Sequence, residues 1–246
     1  MKQIKLTILS IIGLVISLTA NAQGNQTDTF LTKNGKEVVI TPIKHGSMRI
    51  TFNNLEIQVD PVIALPPTTN YNTFPKADII LVTHEHSDHC DKKAIEQLSK
   101  NTTLLITNEN SAKILGKGTI MKNGDKKKLN QDILIEAVAA YNYSDGKTHF
   151  HPKGRDNGFV LNIDGLRIYI AGDTEDIPEM KKLKKIDVAF LPTNQPYTMT
   201  PEQTANAAKM FMPKVLFPYH YSNTPIERVT ELLKTSGIDV RIRNYQ

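Results

Sequence analysis

Short apolar runs, many of them β-branched, recur along the chain with turn-forming residues between them, which predicts strands with few long helices. Residues 38–42, 48–52 and 55–59 read as strands, with Asn53-Asn54 as a tight turn between the last two. Asp60-Pro61 ends that ladder and opens an irregular, Pro-rich loop through Pro75. The run Ala77-Asp78-Ile79-Ile80-Leu81-Val82 reads as a buried strand. Residues 159–163 and 166–170 flank Asp164-Gly165, a hairpin signal, and 187–191 and 214–218 are further buried-strand candidates. Helix starts are marked as well. Thr200-Pro201-Glu202-Gln203 and Thr224-Pro225-Ile226-Glu227 both fit a capping box with Pro in the first turn, and Gly237 suits the end of the second helix. Residues 91–98 suggest an earlier helix, with Ser87 or Asp88 as its cap. No repeat, low-complexity stretch or linker interrupts this alternation, so one α/β domain with mixed sheets is expected.

The first residues change the picture of where the protein acts. Lys2 and Lys5 precede a largely apolar stretch, and Ala20-Asn21-Ala22 is an A-x-A cleavage site. Residues 1–22 are therefore expected to be a signal peptide, and 23–246 a single exported domain in the periplasm or outside the cell, with no stable membrane span. The formal charge of +5 falls to about +3 once Lys2 and Lys5 are removed. Such a mild balance, without Trp or a basic stripe, excludes a nucleic-acid binder; Lys126-Lys127-Lys128 reads as a solvated turn. The lone Cys90 excludes an intrachain disulfide, and without a base partner it reads as a small buried residue.

Candidate chemistry is concentrated in Thr83-His84-Glu85-His86-Ser87-Asp88-His89-Cys90-Asp91, where a strand gives way to a loop. His84 and His86 are two apart, so in an extended chain both imidazoles face one metal ion. Asp88 and His89 follow the turn and suit a second ion. Further ligands are expected at other strand ends. Asp173, after Ile168-Tyr169-Ile170-Ala171-Gly172, is the candidate bridging carboxylate, and His220, after Val215-Leu216-Phe217-Pro218-Tyr219, completes the second site. The first site lacks a third imidazole, and spacing alone does not separate His149 from His151. His45 suits either a supporting or a structural role; Asp60 before Pro61 suits fixing its loop or orienting a ligand histidine, with the structural role favoured. Lys153 and Arg155 are candidate contacts for an anionic substrate, and Tyr141, Tyr197 and Tyr219 candidate pocket walls.

These residues resemble the metallo-β-lactamase-fold hydrolases, and among them the group that includes ascorbate-6-phosphate lactonase. The resemblance runs from about His45 to His220, through His45-Gly46-Ser47, Asp60-Pro61, the His-x-His-x-Asp-His motif, Ala140-Tyr141-Asn142, His151-Pro152-Lys153-Gly154, Gly172-Asp173-Thr174 and Pro218-Tyr219-His220-Tyr221. It implies a four-layer αββα sandwich with two mixed β-sheets and helices outside. It also implies His151 as the third ligand, because the family pattern His-Pro-Lys-Gly falls there, leaving His149 as runner-up.

The ligand set expected is His84, His86 and His151 for one ion, Asp88, His89 and His220 for the other, with Asp173 between them. Asp88 and Asp173 are the carboxylates expected to act in catalysis. Imidazole-rich ligation suits two Zn²⁺ ions, with Mn²⁺ or Fe²⁺ as alternatives. Two such ions, two aspartates and one hydroxide leave about +1, which favours an anionic substrate group or transition state. A metal-bound hydroxide attacking a lactone or phosphodiester of a small molecule is the expected reaction. A secreted β-lactamase and a non-catalytic metal-binding protein are the alternatives; the diiron redox branch typically has Glu at the position of His86, which disfavours a redox role.

Overall fold

A computed structural model describes residues 26–245. The signal-peptide expectation for residues 1–22 lies outside the described residues.

The first half of the chain forms a seven-stranded sheet in sequence order: β1 (Asp28–Leu31), β2 (Glu37–Lys44), β3 (Ser47–Phe52), β4 (Leu55–Val59), β5 (Ile79–Leu81), β6 (Leu104–Thr107) and β7 (Thr119–Ile120). The second half forms another: β8 (Lys126–Lys128), β9 (Ile133–Ala140), β10 (Asp156–Ile163), β11 (Leu166–Ile170), β12 (Val188–Pro192), β13 (Val215–Tyr219) and β14 (Asp239–Val240). Each sheet begins as an antiparallel meander and becomes parallel at its fourth strand, β4 in one and β11 in the other. Both sheets are mixed, as expected.

Side-chain period explains the layering. In β5, Ile79 and Leu81 face the layer between the sheets, where they meet Ile57, Phe159, Ile168 and Phe217, while Ile80 and neighbouring Val82 face outward. Over that outer face lie α1 (Lys92–Leu98), through Ala94, Ile95 and Leu98, and α2 (Glu109–Leu115), through Leu115. On the second sheet's outer face, Tyr169, Leu191 and Leu216 meet Ala205, Ala208 and Phe211 of α3 (Pro201–Phe211) and Val229 and Leu233 of α4 (Glu227–Leu233). The result is the four-layer αββα sandwich. Full burial of each such Leu, Ile, Val or Phe contributes ~1.5–3 kcal/mol, so the three apolar layers are the main source of stability.

Several local expectations differ from the structure. Thr200 and Gln203 form the capping box of α3, but α4 starts at Glu227 without a side-chain cap, because the Thr224 hydroxyl instead accepts from the Gln195 backbone N–H at 3.3 Å. Asp91, not Ser87 or Asp88, caps α1, accepting from Lys93 and Ala94. The three lysines of β8 form an edge strand paired with β9 rather than a turn; charge on such an edge opposes pairing with another chain. Among the described residues no helix is long and apolar enough to cross a membrane.

Candidate metal centre

The parallel halves of both sheets bring their carboxyl ends to one edge of the sandwich. From the first sheet come His45 after β2, Asp60 after β4, and His84, His86, Asp88 and His89 after β5. From the second come His151 in the loop after β9, Asp173 after β11 and His220 after β13. A backbone hydrogen bond from the His220 N–H to the His45 carbonyl, 3.1 Å, joins the two halves there. His45, Asp60 and His220 all adopt left-handed backbone conformations, φ 50°, 42° and 50°. Such geometry is uncommon outside glycine and concentrates at functional sites.

All seven expected ligand residues converge. His84, His86 and His151 offer ring nitrogens within 4.8 Å of one another, and His45, Asp88, His89 and His220 form a second such group. His84 Nε2 and His86 Nδ1 lie 3.1 Å apart. The Asp173 carboxylate sits between the groups, 3.4 Å from the Nε2 atoms of His151, His220 and His89 and 3.9 Å from that of His84. His89 Nε2, His151 Nε2, His220 Nε2 and Asp173 Oδ1 are buried without a hydrogen-bond partner. Buried polar atoms left this way are costly, and divalent cations held by the two groups would satisfy them. The donor set fits a metal centre. His149 is exposed beside the Phe150 ring, outside the cluster.

Hydrogen bonds fix which nitrogen each ring presents. Asp60, fully buried, accepts from His89 Nδ1 at 2.8 Å and from the Thr83 hydroxyl at 2.7 Å with one oxygen, and from the Thr83 N–H with the other. Since the Thr83 hydroxyl proton goes to Asp60, its oxygen accepts from His84 Nδ1–H, 3.0 Å away. Neutral His84, and His89 once it gives up its second proton, are thereby held with Nε2 toward the cluster as the donor atom. His220 Nδ1 lies 3.1 Å from Asn194 Nδ2, part of an amide whose nitrogen and oxygen exchange places when it is turned over. If the amide presents its oxygen, Nδ1–H donates to it and Nε2 is left free in the same way.

Electrostatics follow from this crowding. Burial alone lifts the Asp173 and Asp88 carboxyls, but the surrounding imidazoles outweigh it and hold both far below the usual carboxylate range. Burial lowers His84 well below its ordinary value. His89 goes the other way. Its burial penalty is overcome by Asp173, Asp60 and Asp88, which raise it to about 10 in the metal-free protein. A cation is thus favoured at this point even before a metal arrives.

Two residues carry more than their sequence reading. Asp60 orients two of the candidate ligands rather than merely fixing its loop. His45 Nε2 lies 2.9 Å from Asp88 Oδ2, and its ring is 3.6 Å from that of His220, so it stands inside the cluster. Thr83 and Asn194 had no sequence signal. Lys153 and Arg155 stand away from the cleft: Lys153 pairs with Glu179 and Tyr141, while Arg155 is taken by Glu85, Asp156 and the Phe150 carbonyl. Tyr141 and Tyr219 are buried, the latter accepting from the Gly172 N–H, and Tyr197 lines the cleft. Cys90 is buried, which pushes its thiol up to about 11.

This fold and site define a metal-dependent hydrolase of the metallo-β-lactamase class. Residues 39–220 match the β-lactamase superfamily domain, and the chain belongs to that superfamily, within the UPF0173 metal-dependent hydrolase family. The UPF0173 metal-dependent hydrolase of Lysinibacillus sphaericus is 33% identical over 74% of this chain and 84% of its own length. A metal-dependent hydrolase of Parabacteroides distasonis, known by crystal structure, is 59% identical, covers 91% of this chain and 100% of its own, and superposes with a TM-score of 0.88. Igni18, a metallo hydrolase from Ignicoccus hospitalis, is 26% identical over 84% of this chain and 95% of its own, with a TM-score of 0.70.

Proposed function

We propose that the chain is an exported dinuclear metal-dependent hydrolase of an ester-type bond, a lactone or phosphodiester, allied to the ascorbate-6-phosphate lactonase-like group. Residues 1–22 direct export and 23–246 form the working domain. The observation that carries this reading is the buried Asp173 carboxylate, whose unpartnered Oδ1 lies 3.4 Å from His89 Nε2 and whose Oδ2 lies 3.4 Å from His151 Nε2, imidazoles of both donor groups. His84, His86 and His151 would hold one ion, and Asp88, His89 and His220 the other, with zinc first and manganese or iron as alternatives. When bound, two such ions lower the pKa of coordinated water toward neutrality and polarise the oxygen of the group under attack.

The chain's own residues do the rest. Asp60 and Thr83 keep the Nδ1 protons of His89 and His84 away from the centre. His45, donating from Nε2 to Asp88, fixes that carboxylate at the cleft wall. Phe150 and Tyr197, ring centroids 5.1 Å apart, wall the cleft and exclude bulk water. In the hydrolysis of a carboxylic ester, the oxygen of water joins the acyl carbon, the acyl C–O bond breaks, and a proton passes to the leaving oxygen. Elemental analysis of the purified protein, paired with a screen of lactones, phosphodiesters and a chromogenic β-lactam, tests the proposal. Two equivalents of metal with turnover of an ester are expected. One equivalent of iron without hydrolysis, or β-lactam turnover at an ordinary enzymatic rate, would replace it.

A further inference from the structure

The cleft over the candidate metal centre, about 380 Å³, is lined by His45, Phe150, Tyr197 and Ser222 beside the donor residues. A second, open cavity of about 540 Å³ shares Asn194, Tyr197 and Ser222 with it, so the two chambers adjoin at those residues. The walls of the second chamber mix amides and hydroxyls, from Gln195, Thr200, Asn223 and Thr224 beside the shared residues, with the rings of Pro201 and Pro225. Neither chamber is lined by Lys or Arg. The one ionised side chain lining the second is Glu202, which pairs with Arg228 at 3.4 Å.

The nearby cations are engaged elsewhere. Lys147 bonds Gln195 at 3.0 Å and faces Glu175 at 3.9 Å, and Lys153 and Arg155 are paired away from the cleft. Sites built for phosphate or carboxylate groups ordinarily present Arg or Lys to them. Tyr197, 46% exposed, offers instead a flat ring with a polar edge beside the Asn223 amide, while the Gln195 amide is engaged by Lys147 and the Thr198 carbonyl.

Resting on the ester-hydrolase reading, we infer that the substrate is an uncharged, hydroxyl-rich carboxylic ester, its scissile bond in the metal cleft and its polyol arm across Tyr197 in the second chamber. The positive centre then serves the negative charge that develops during reaction, not a charge the substrate brings. A lactone of a sugar acid and an acylated neutral sugar share this chemistry.

Metal-loaded protein is assayed with gluconolactone, a mono-acetylated glucose, phosphorylated gluconolactone and bis(nitrophenyl) phosphate. Either uncharged sugar ester is expected to exceed the phosphorylated lactone by about tenfold or more in kcat/KM, and which of the two is cleaved separates lactone from acyl sugar. Tyr197→Ala is expected to raise KM for that ester about tenfold in a protein that still takes up the parent's metal content. Preference for the phosphorylated lactone, or an unchanged KM in Tyr197→Ala, overturns the inference. Cleavage of the phosphodiester alone overturns it while leaving the hydrolase standing. If the fully loaded protein turns over none of the four, both fall.

Discussion

Asp60→Asn exposes the logic of the site because it changes one atom and no volume. The amide oxygen can still accept from the Thr83 N–H, but the NH₂ now faces two donors, the Thr83 hydroxyl and His89 Nδ1–H. The conflict is relieved if His89 moves its proton to Nε2, the atom 3.4 Å from Asp173, where it blocks a metal. A hydrogen bond to a charged group contributes about 1.5–3 kcal/mol, so losing the His89 bond corresponds to roughly 10–150-fold in affinity. That agrees with the roughly 10–100-fold cost typical for a residue that supports a metal ligand. Competition against a chelator of known affinity, titrated to two equivalents, reads this directly, with circular dichroism confirming the fold. Thr83→Val is the companion, since it cuts only the branch that reaches His84. Two binding constants within about threefold of the parent's in Asp60→Asn would refute the proposed control of the ring tautomer.

His86→Ala and Asp173→Ala are each expected to lose metal and activity together in a soluble chain; full metal occupancy in both variants would end the proposed ligand set. Gly46→Ala puts a methyl 2.6 Å from His89 Cε1, against a ring with no free space, so metal affinity is expected to fall about tenfold or more with the fold intact; an unchanged titration would contradict this. Metal uptake must displace the His89 proton, whose pKa is raised to about 10 in the free protein, so apparent affinity should climb by up to tenfold per pH unit until about pH 10. The same shift means that the His89 cation stabilises the metal-free fold most fully below its unfolded pKa near 6.5. That contribution disappears as pH rises through about 10, as thermal denaturation of the apo-protein should reveal. Affinity independent of pH would contradict the displacement.

Much of this molecule is legible where contacts are local. Alternation and turn residues mark β3, β4, β10 and β11, and the cluster of His84, His86, Asp88 and His89 is read directly from its place just past the apolar run of β5. Legibility fails where a partner is distant in sequence. Asp60 before Pro61 looks like a loop residue until the fold sets it against His89, 29 positions on. His45 gains meaning only when β2 is placed beside the end of β13. Thr224 and Glu227 carry a sound capping pattern, yet a neighbouring loop takes the hydroxyl. The β8 lysines lack any apolar alternation because an edge strand of this kind has no core face to fill.

The donors at the sandwich edge come from both sheets, and on the proposed ligand set each ion would fasten residues 84–89 to residues 151–220. The chain has a single cysteine and cannot make that fastening covalently within itself. The clasp would be reversible, with a strength set by the surroundings: each tenfold rise in free metal above the dissociation constant adds about 1.4 kcal/mol per site to the folded state. Scarcity of metal would therefore act on the protein's lifetime as well as its turnover, loosening the two halves and opening the chain to proteases.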